Sequence, residues 1–318
     1  MSNVDDYLKA AERQNTLLSY ASAIRHFEEE WKGLLPASSD AIARYLADYA
    51  ATLSGNTLRH RLAALSRWHL DQGFADPTKT TTIRQLLKGI RTVHNTPENR
   101  ARPLDLEVLE RVDGWLVESI ERSQRQGDNA STLRFTRDRS LILLGFWRGF
   151  RSDELVRLTV ENVQIVSTEG MTCYLERSKG DRQTLGKTYK CPSLSRLCPV
   201  TAFAQWVALA KLEHGPVYRG VDRWGHLSSK AMHPNSLIPL LRTMLSLAGV
   251  PEVKEYSSHS LRRGFAGWAR ASGWDIKDLM EYVGWQDIKS AMRYLDTPDA
   301  ELQNRFEQGL QKGNPKNE

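Results

Sequence analysis

Residues 137–158 read RDRSLILLGFWRGFRSDELVRL, and this stretch decides what kind of chain it belongs to. From Arg137 to Gly149 the run carries Leu141, Ile142, Leu143, Leu144, Phe146 and Trp147 with almost no polar interruption. A helix that is apolar on every side belongs in a core. Gly149 ends it, since glycine adopts the left-handed cap without a steric penalty. Arg151 follows at once and opens a short helical turn, Ser152 to Leu158. An arginine just past the end of a rigid buried element can point inward. An ordinary capping or surface arginine fits the same position.

Downstream, Val163–Val166, Met171–Glu176 and Tyr189–Pro192 are short, rich in β-branched and aromatic residues, and punctuated by Glu169-Gly170 and Lys179-Gly180-Asp181. They predict a small antiparallel sheet. Helical patterns resume over Pro199–Glu213, Pro234–Ala248, Ser260–Ala271, Ile276–Tyr282, Ile288–Leu295 and Ala300–Gln311. Upstream, a helix over Leu106–Arg122 and a polar loop, Ser123–Ser131, lead into the core stretch. Before that, His94–Pro103 holds two prolines and no apolar period, which reads as an interdomain linker. Its Arg100 and Arg102 suit either a phosphate contact or plain solvent. The first part is nearly all helix: Tyr7–Ala11, Asn15–Trp31, Ala41–Leu53, Thr57–Gln72 and Thr81–Val93, with Ser54-Gly55-Asn56 as a break. The expected organisation is a helical domain over 1–94, a linker over 95–103 and a mixed α+β domain over 104–318.

Bulk properties narrow the class. At 318 residues there is room for two cores. A net charge of +6 and a pI near 9.2 suit either a nucleic-acid partner or a merely basic soluble protein. Cys173, Cys191 and Cys198 form neither a disulfide framework nor zinc spacing, so the reading expects a reducing compartment and no metal. Met1-Ser-Asn-Val-Asp-Asp lacks the basic-then-apolar pattern of a secretory signal, and no apolar run approaches the ~20 residues of a membrane span. A cytoplasmic protein with access to DNA is expected.

The remaining polar motifs point to chemistry on a phosphodiester. Its negative oxygens repel nucleophiles, so a metal-free site must supply positive charge. Arginine does so with a planar fork that stays charged. His259 and Arg262, in HSLRRGF, stand three apart at a helix start preceded by Ser257 and Ser258, where free backbone N–H groups favour an anion. Arg263 is expected to face elsewhere. Tyr294 follows Gly284-Trp285-Gln286-Asp287, with Asp287 as N-cap and Met292 and Leu295 holding its helix down. A phenol with a free pKa near 10 needs cations or a base beside it to act as a nucleophile. Each motif alone has a bland reading: a surface arginine, a chance H-x-x-R, a core tyrosine.

Taken together, Arg151-Ser-Asp-Glu154-Leu155, Lys179, His259-Ser-Leu-Arg262, Gly284-Trp285 and Tyr294 nine positions on resemble the tyrosine recombinases, the phage-integrase family. The style is closest to Cre-like and transposon-encoded resolvases. The resemblance implies a mainly α protein with a helical SAM-like core-binding domain and a catalytic domain, closing as a C-shaped clamp on double-stranded DNA. It implies site-specific recombination through a 3′-phosphotyrosine, with no cofactor. Arg151 and Arg262 would clamp the phosphate, His259 would bond to it and help take the tyrosine proton, Lys179 would protonate the leaving oxygen, and Glu154 would orient its neighbours. Most of the family has histidine at position 285. Trp285 can donate one hydrogen bond there but cannot transfer protons. Lys187 and Lys190 are alternatives to Lys179. The resemblance also implies a homo-tetramer in the synapse, and a terminal helix carrying Leu302, Phe306 and Leu310 that docks on a neighbour. A type IB-like topoisomerase and a non-catalytic DNA-binding regulator are the competing readings. Under this reading Arg59, Arg61 and Arg67, and Arg84, Lys88 and Arg91 on the next helix, form a DNA-binding face.

Overall fold

The computed structural model describes residues 14–94, 100–166, 169–176 and 186–295. The chain divides into two compact units, Met1–Asn99 and Arg100–Glu318.

The first unit is helical: α1 (Gln14–Arg25), α2 (Ser39–Asp48), α3 (Gly55–Asp71) and α4 (Thr81–Val93). Ser38, Ser54 and Thr80 cap the last three through their hydroxyls, satisfying N–H groups the helices leave free. Ser54 and Gly55, expected as a break, therefore start a helix instead of only ending one. The helix expected to run straight to Trp31 gives way at His26–Glu30 to a wider π turn, closed by Trp31 N–H to the His26 carbonyl. Around that turn the rings of Phe27 and Trp31 lie 5.0 and 5.5 Å from that of Tyr45. Phe27, Ile42, Tyr45, Leu46, Leu58, Leu65 and Ile83 form a core with no solvent exposure. Buried His69 accepts from the Ala37 N–H at Nε2, so its proton lies on Nδ1, which donates to the Leu65 carbonyl.

The second unit is built around α6 (Asn129–Arg148), which packs against α5 (Leu106–Arg125), α8 (Pro199–Leu209) and α10 (Ser258–Ala271). The loop expected to last to Ser131 stops at Asp128, whose carboxylate caps α6 by accepting from Ser131 N–H. The first turns of α6 look polar in sequence, yet Thr132 and Thr136 are buried and return their hydroxyls to the carbonyls of Asp128 and Thr132. Buried Arg137 and Asp138 pair with each other. Polar residues that satisfy one another locally can lie in a core.

After α6 come α7 (Ser152–Val156), a three-stranded antiparallel sheet of β1 (Val163–Val166), β2 (Gly170–Leu175) and β3 (Lys187–Cys191), and then α8. Cys173 is registered against Val163 on one side and Tyr189 on the other. A second hairpin, β4 (Arg219–Val221) with β5 (Leu227–Ala231), was not foreseen. Its exposed Ser228, Ser229 and Lys230 carry none of the apolar alternation by which a strand is recognised. The unit continues through α9 (Leu237–Leu247), α10, α11 (Ile276–Val283) and α12 (Ile288–Leu295).

The segment entering this unit lies across α10: Leu104 N–H donates to the Ser260 carbonyl. Only glycine fits at 264, since a Cβ there would sit 1.7 Å from the Leu104 carbonyl oxygen. Arg102 engages Glu252 and Glu255 of its own unit. Among the described residues no helix is long and apolar enough to cross a membrane.

Candidate active site

Three local structures bring the motif residues together. At the end of α6, Gly149 takes a left-handed conformation (φ 58°), a turn that is strained for other residues. The chain then enters α7 with Arg151 at its N-cap. Helix α10 starts at Ser258, and the Ser257 hydroxyl accepts from the His259 N–H. One turn into the helix lies Arg262, so His259 and Arg262 share a face. Helix α11 ends at Gly284, also left-handed, and the following turn delivers Trp285 and then α12 with Tyr294.

The side chains converge. Glu154 is the hub: Oε1 accepts from Arg151 Nη1 at 2.7 Å, Oε2 accepts from the Arg151 backbone N–H at 2.8 Å, and Oε2 lies 3.7 Å from Arg262 Nη1. One buried carboxylate therefore holds two guanidinium groups near each other. Arg262 is 1% exposed, and its Nη2 donates to the Val283 carbonyl at 3.2 Å. Burial, then the charge of Arg151, pulls its pKa down to about 10, against the pull of Glu154 and Tyr294. It stays charged at neutral pH. The indole of Trp285 stacks on the Tyr294 ring, with centroids 5.1 Å apart and planes at 23°. The Arg262 guanidinium lies 5.4 Å from the Trp285 ring and 5.7 Å from the Tyr294 ring, within cation–π range. His259 Nδ1 lies 3.1 Å from the Tyr294 hydroxyl. When that nitrogen is unprotonated, the phenol donates to it, the geometry a general base requires.

Three donors of this cluster are buried without a hydrogen-bond acceptor among the described residues: Arg262 Nε, Arg262 Nη1 and Trp285 Nε1. Unsatisfied buried donors are costly and rare, and they concentrate where a ligand completes them. Two cations, these donors, and a phenol hydrogen-bonded to an imidazole form a pocket whose chemistry suits an oxyanion next to the phenol oxygen.

Of the residues singled out in the sequence, Arg151, Glu154, His259, Arg262, Trp285 and Tyr294 thus occupy one cluster. Lys179 lies outside the described residues, as does the terminal segment with Leu302, Phe306 and Leu310. Met292 does not hold α12 down as expected: it is 43% exposed, whereas Ala291 is buried, and the Leu295 side chain lies outside the described residues. The helical period places Ala291 and Tyr294, three apart, on the inner face. Arg263 is also buried, at 9% exposure. Arg84, Lys88 and Arg91 are exposed on α4, whose Ile83 and Ile90 face the core. Arg59 is exposed and donates to Asn56. Arg67 is engaged with Asp71. Arg61 turns inward to the Tyr45 hydroxyl and His26. The site also holds a residue the sequence reading passed over, Arg148. Its signal was a charge directly after the apolar run Leu141–Trp147.

The family model for the phage integrase family matches residues 128–301. An integrase/recombinase XerD homolog of Selenomonas ruminantium is 28% identical over 298 residues, covering 91% of this chain and 83% of that protein. The tyrosine recombinase XerD of Shewanella oneidensis is 23% identical over 316 residues, covering 94% of this chain and 91% of that one. Among solved structures, the XerH site-specific recombinase bound to palindromic difH substrate superposes with a TM-score of 0.63 at 19% identity, over 92% of this chain and 78% of that one. The Tn1549 transposon integrase in complex with transposon right end DNA gives 0.59 at 16% identity, over 94% and 95%. These structural likenesses establish the fold.

Proposed function

The chain belongs to the phage integrase family and is a tyrosine site-specific recombinase, and from that premise we propose that it cleaves and rejoins DNA through a covalent 3′-phosphotyrosine formed by Tyr294. The observation that carries this is the Tyr294 hydroxyl lying against His259 beside the buried, incompletely satisfied guanidinium of Arg262.

These positions support a reaction in which the resemblance supplies Lys179. Arg262 and Arg151 hold the non-bridging oxygens of one phosphodiester, and Trp285 donates its N–H to the same group. Removing one such donor typically costs about 10²–10³ in rate. His259 takes the phenolic proton as the Tyr294 oxygen attacks phosphorus. The bond from phosphorus to the 5′-oxygen breaks, and that oxygen takes a proton from Lys179. A 5′-hydroxyl from another strand then reverses the step and joins new neighbours. Bond energy is kept in the tyrosyl ester, so the reaction consumes no cofactor.

The exposed Arg59, Arg84, Lys88 and Arg91 grip the phosphate backbone of double-stranded DNA. Synapsis of two sites requires four protomers. We assign the biological role to cointegrate or dimer resolution, or to integration of a mobile element. What supports this is that structures of the same fold were solved on recombination DNA, XerH on palindromic difH substrate and the Tn1549 transposon integrase on transposon right end DNA.

The test is covalent capture. A duplex is selected for binding from a random-sequence pool, and a set of versions is made with one nick at each position. Wild-type protein should form a denaturant-stable adduct with at least one of them, and Tyr294→Phe none while still binding. A regulator would bind without any adduct. A topoisomerase would relax supercoils without the selected site, where a recombinase exchanges strands between two copies of it.

A further inference from the structure

Arg148 is 1% exposed and sits one residue before the Gly149 cap. No carboxylate is paired with it among the described residues. Its Nη2 donates to the Tyr282 carbonyl, and its guanidinium lies 3.9 Å from the centroid of the Tyr282 ring, 5.0 Å from Tyr189 and 5.5 Å from Phe150. The Tyr282 hydroxyl in turn donates to the Trp147 carbonyl at 2.9 Å. Tyr282 is thus tied to the end of α6 by both its backbone and its ring.

The next carbonyl along the chain, Val283, accepts from Arg262. Two buried guanidinium groups therefore hold consecutive C-terminal carbonyls of α11, the end of a helix that attracts cations. Directly after these carbonyls come Gly284 and Trp285, the ring that stacks on Tyr294. On the other side, Tyr189 belongs to β3, and a Cβ at Gly284 would meet its ring at 3.2 Å. The rings of Phe150 and Tyr189 meet edge to face at 5.3 Å, one residue before Arg151. One guanidinium therefore contacts three segments at once: the α6–α7 turn that leads into Arg151, strand β3, and the end of α11 that leads into Trp285.

We infer that Arg148 is a positioning residue for the cleavage reaction: its charge in the aromatic cage sets where Arg151, Trp285 and Tyr294 stand relative to one another. The inference rests on the reading of the site as a recombinase centre. Lysine keeps the charge at this position but not the planar fork, so it cannot hold the Tyr282 carbonyl and lie flat among three rings together. Misplacement of reacting groups by about 1 Å costs on the order of 10²-fold in rate.

The experiment compares wild type, Arg148→Lys and Tyr282→Phe on the nicked duplex that gives the wild-type adduct. Two constants are measured separately: affinity for the duplex, and the first-order rate of adduct formation when all DNA is bound. Arg148→Lys should bind within about twofold of wild type and form adduct on the order of 10²-fold more slowly. Tyr282→Phe, which loses the hydroxyl and with it the tie to Trp147 and the interaction with Arg148, should bind normally and react several-fold more slowly. Wild-type rates in Arg148→Lys, or losses of rate and binding in equal proportion, would overturn the inference and leave the recombinase reading intact. If Arg148→Lys does not fold, a wild-type rate in Tyr282→Phe overturns it. Absence of any adduct with the wild-type chain would sink both.

Discussion

At the scale of single residues, Glu154 organises the site. Two like charges, Arg151 and Arg262, would repel each other without it, and Arg262 is already disfavoured by burial. One carboxylate serves both, at 2.7 Å from Arg151 Nη1 and 3.7 Å from Arg262 Nη1. The sequence made Glu154 a supporting residue by resemblance but gave no sign that its carboxylate holds Arg151 with both oxygens and faces Arg262 with one of them. Glu154→Gln keeps the shape and removes the charge. It should destabilise the protein by about 3 kcal/mol, the cost of leaving a buried cation uncompensated, as read from chemical denaturation. The rate of adduct formation should fall by at least about 10²-fold with DNA affinity largely kept. Stability and rate both unchanged would mean that Glu154 does not hold the arginines.

At the scale of elements, the ends of helices carry much of the specification. Ser38, Ser54, Thr80, Asp105, Asp128 and Asp275 each bond a free N–H of the helix they open. Asp76 does the same for the short 3₁₀ turn Pro77–Lys79 and also ties it to α3. It accepts from the Ser66 hydroxyl at 2.6 Å and from the Thr78 hydroxyl and N–H at 2.7 and 2.9 Å. Burial alone would raise its carboxyl, but the hydrogen bonds from Ser66, Thr78 and Lys79 outweigh burial and hold it at about 2. A carboxyl depressed in the folded state contributes stability above its unfolded value, near 3.9, and loses it as pH falls through the folded value. Asp76→Asn should therefore unfold more easily at pH 7, by about 1–2 kcal/mol. The gap from wild type should narrow below about pH 4 and close near pH 2, as followed by urea melts across that range. A gap independent of pH would show that the charge of Asp76 is not what holds the turn.

At the scale of the whole molecule, charge is distributed unevenly in what it does. The chain carries +6 overall, yet several arginines are spent inside their own units: Arg61 on Tyr45, Arg67 on Asp71, Arg102 on Glu252, Arg137 on Asp138. The exposed row on α4, Arg84, Lys88 and Arg91, is the stronger candidate for phosphate contact. Replacing all three by alanine should weaken binding of the selected duplex about equally across sequences. The slope of log affinity against log salt should become shallower by up to about 3, while the melting temperature stays near wild type. Arg61→Ala should do the reverse, lowering stability and leaving the salt slope in place. Equal salt slopes for wild type and the triple variant would remove α4 from the DNA-binding face.

The helical character, the small antiparallel sheet and six residues that the fold gathers into one cluster were legible in the sequence. Apolar periodicity, capping residues and motif order are local signals, and each survives without coordinates. The start of α6 was missed: Asn129–Ser131 carry the polar signal of a loop, and Thr132 and Thr136, buried with their hydroxyls satisfied locally, show no apolar period. The β4–β5 hairpin was missed for a similar reason, since its pairing rests on backbone bonds and its side chains show no period. Tertiary structure alone decided that Arg61 faces inward, that Glu154 bridges two arginines and that Arg148 lies in a cage of three rings. These outcomes depend on distances between segments far apart in the chain, and residue spacing carries no record of them.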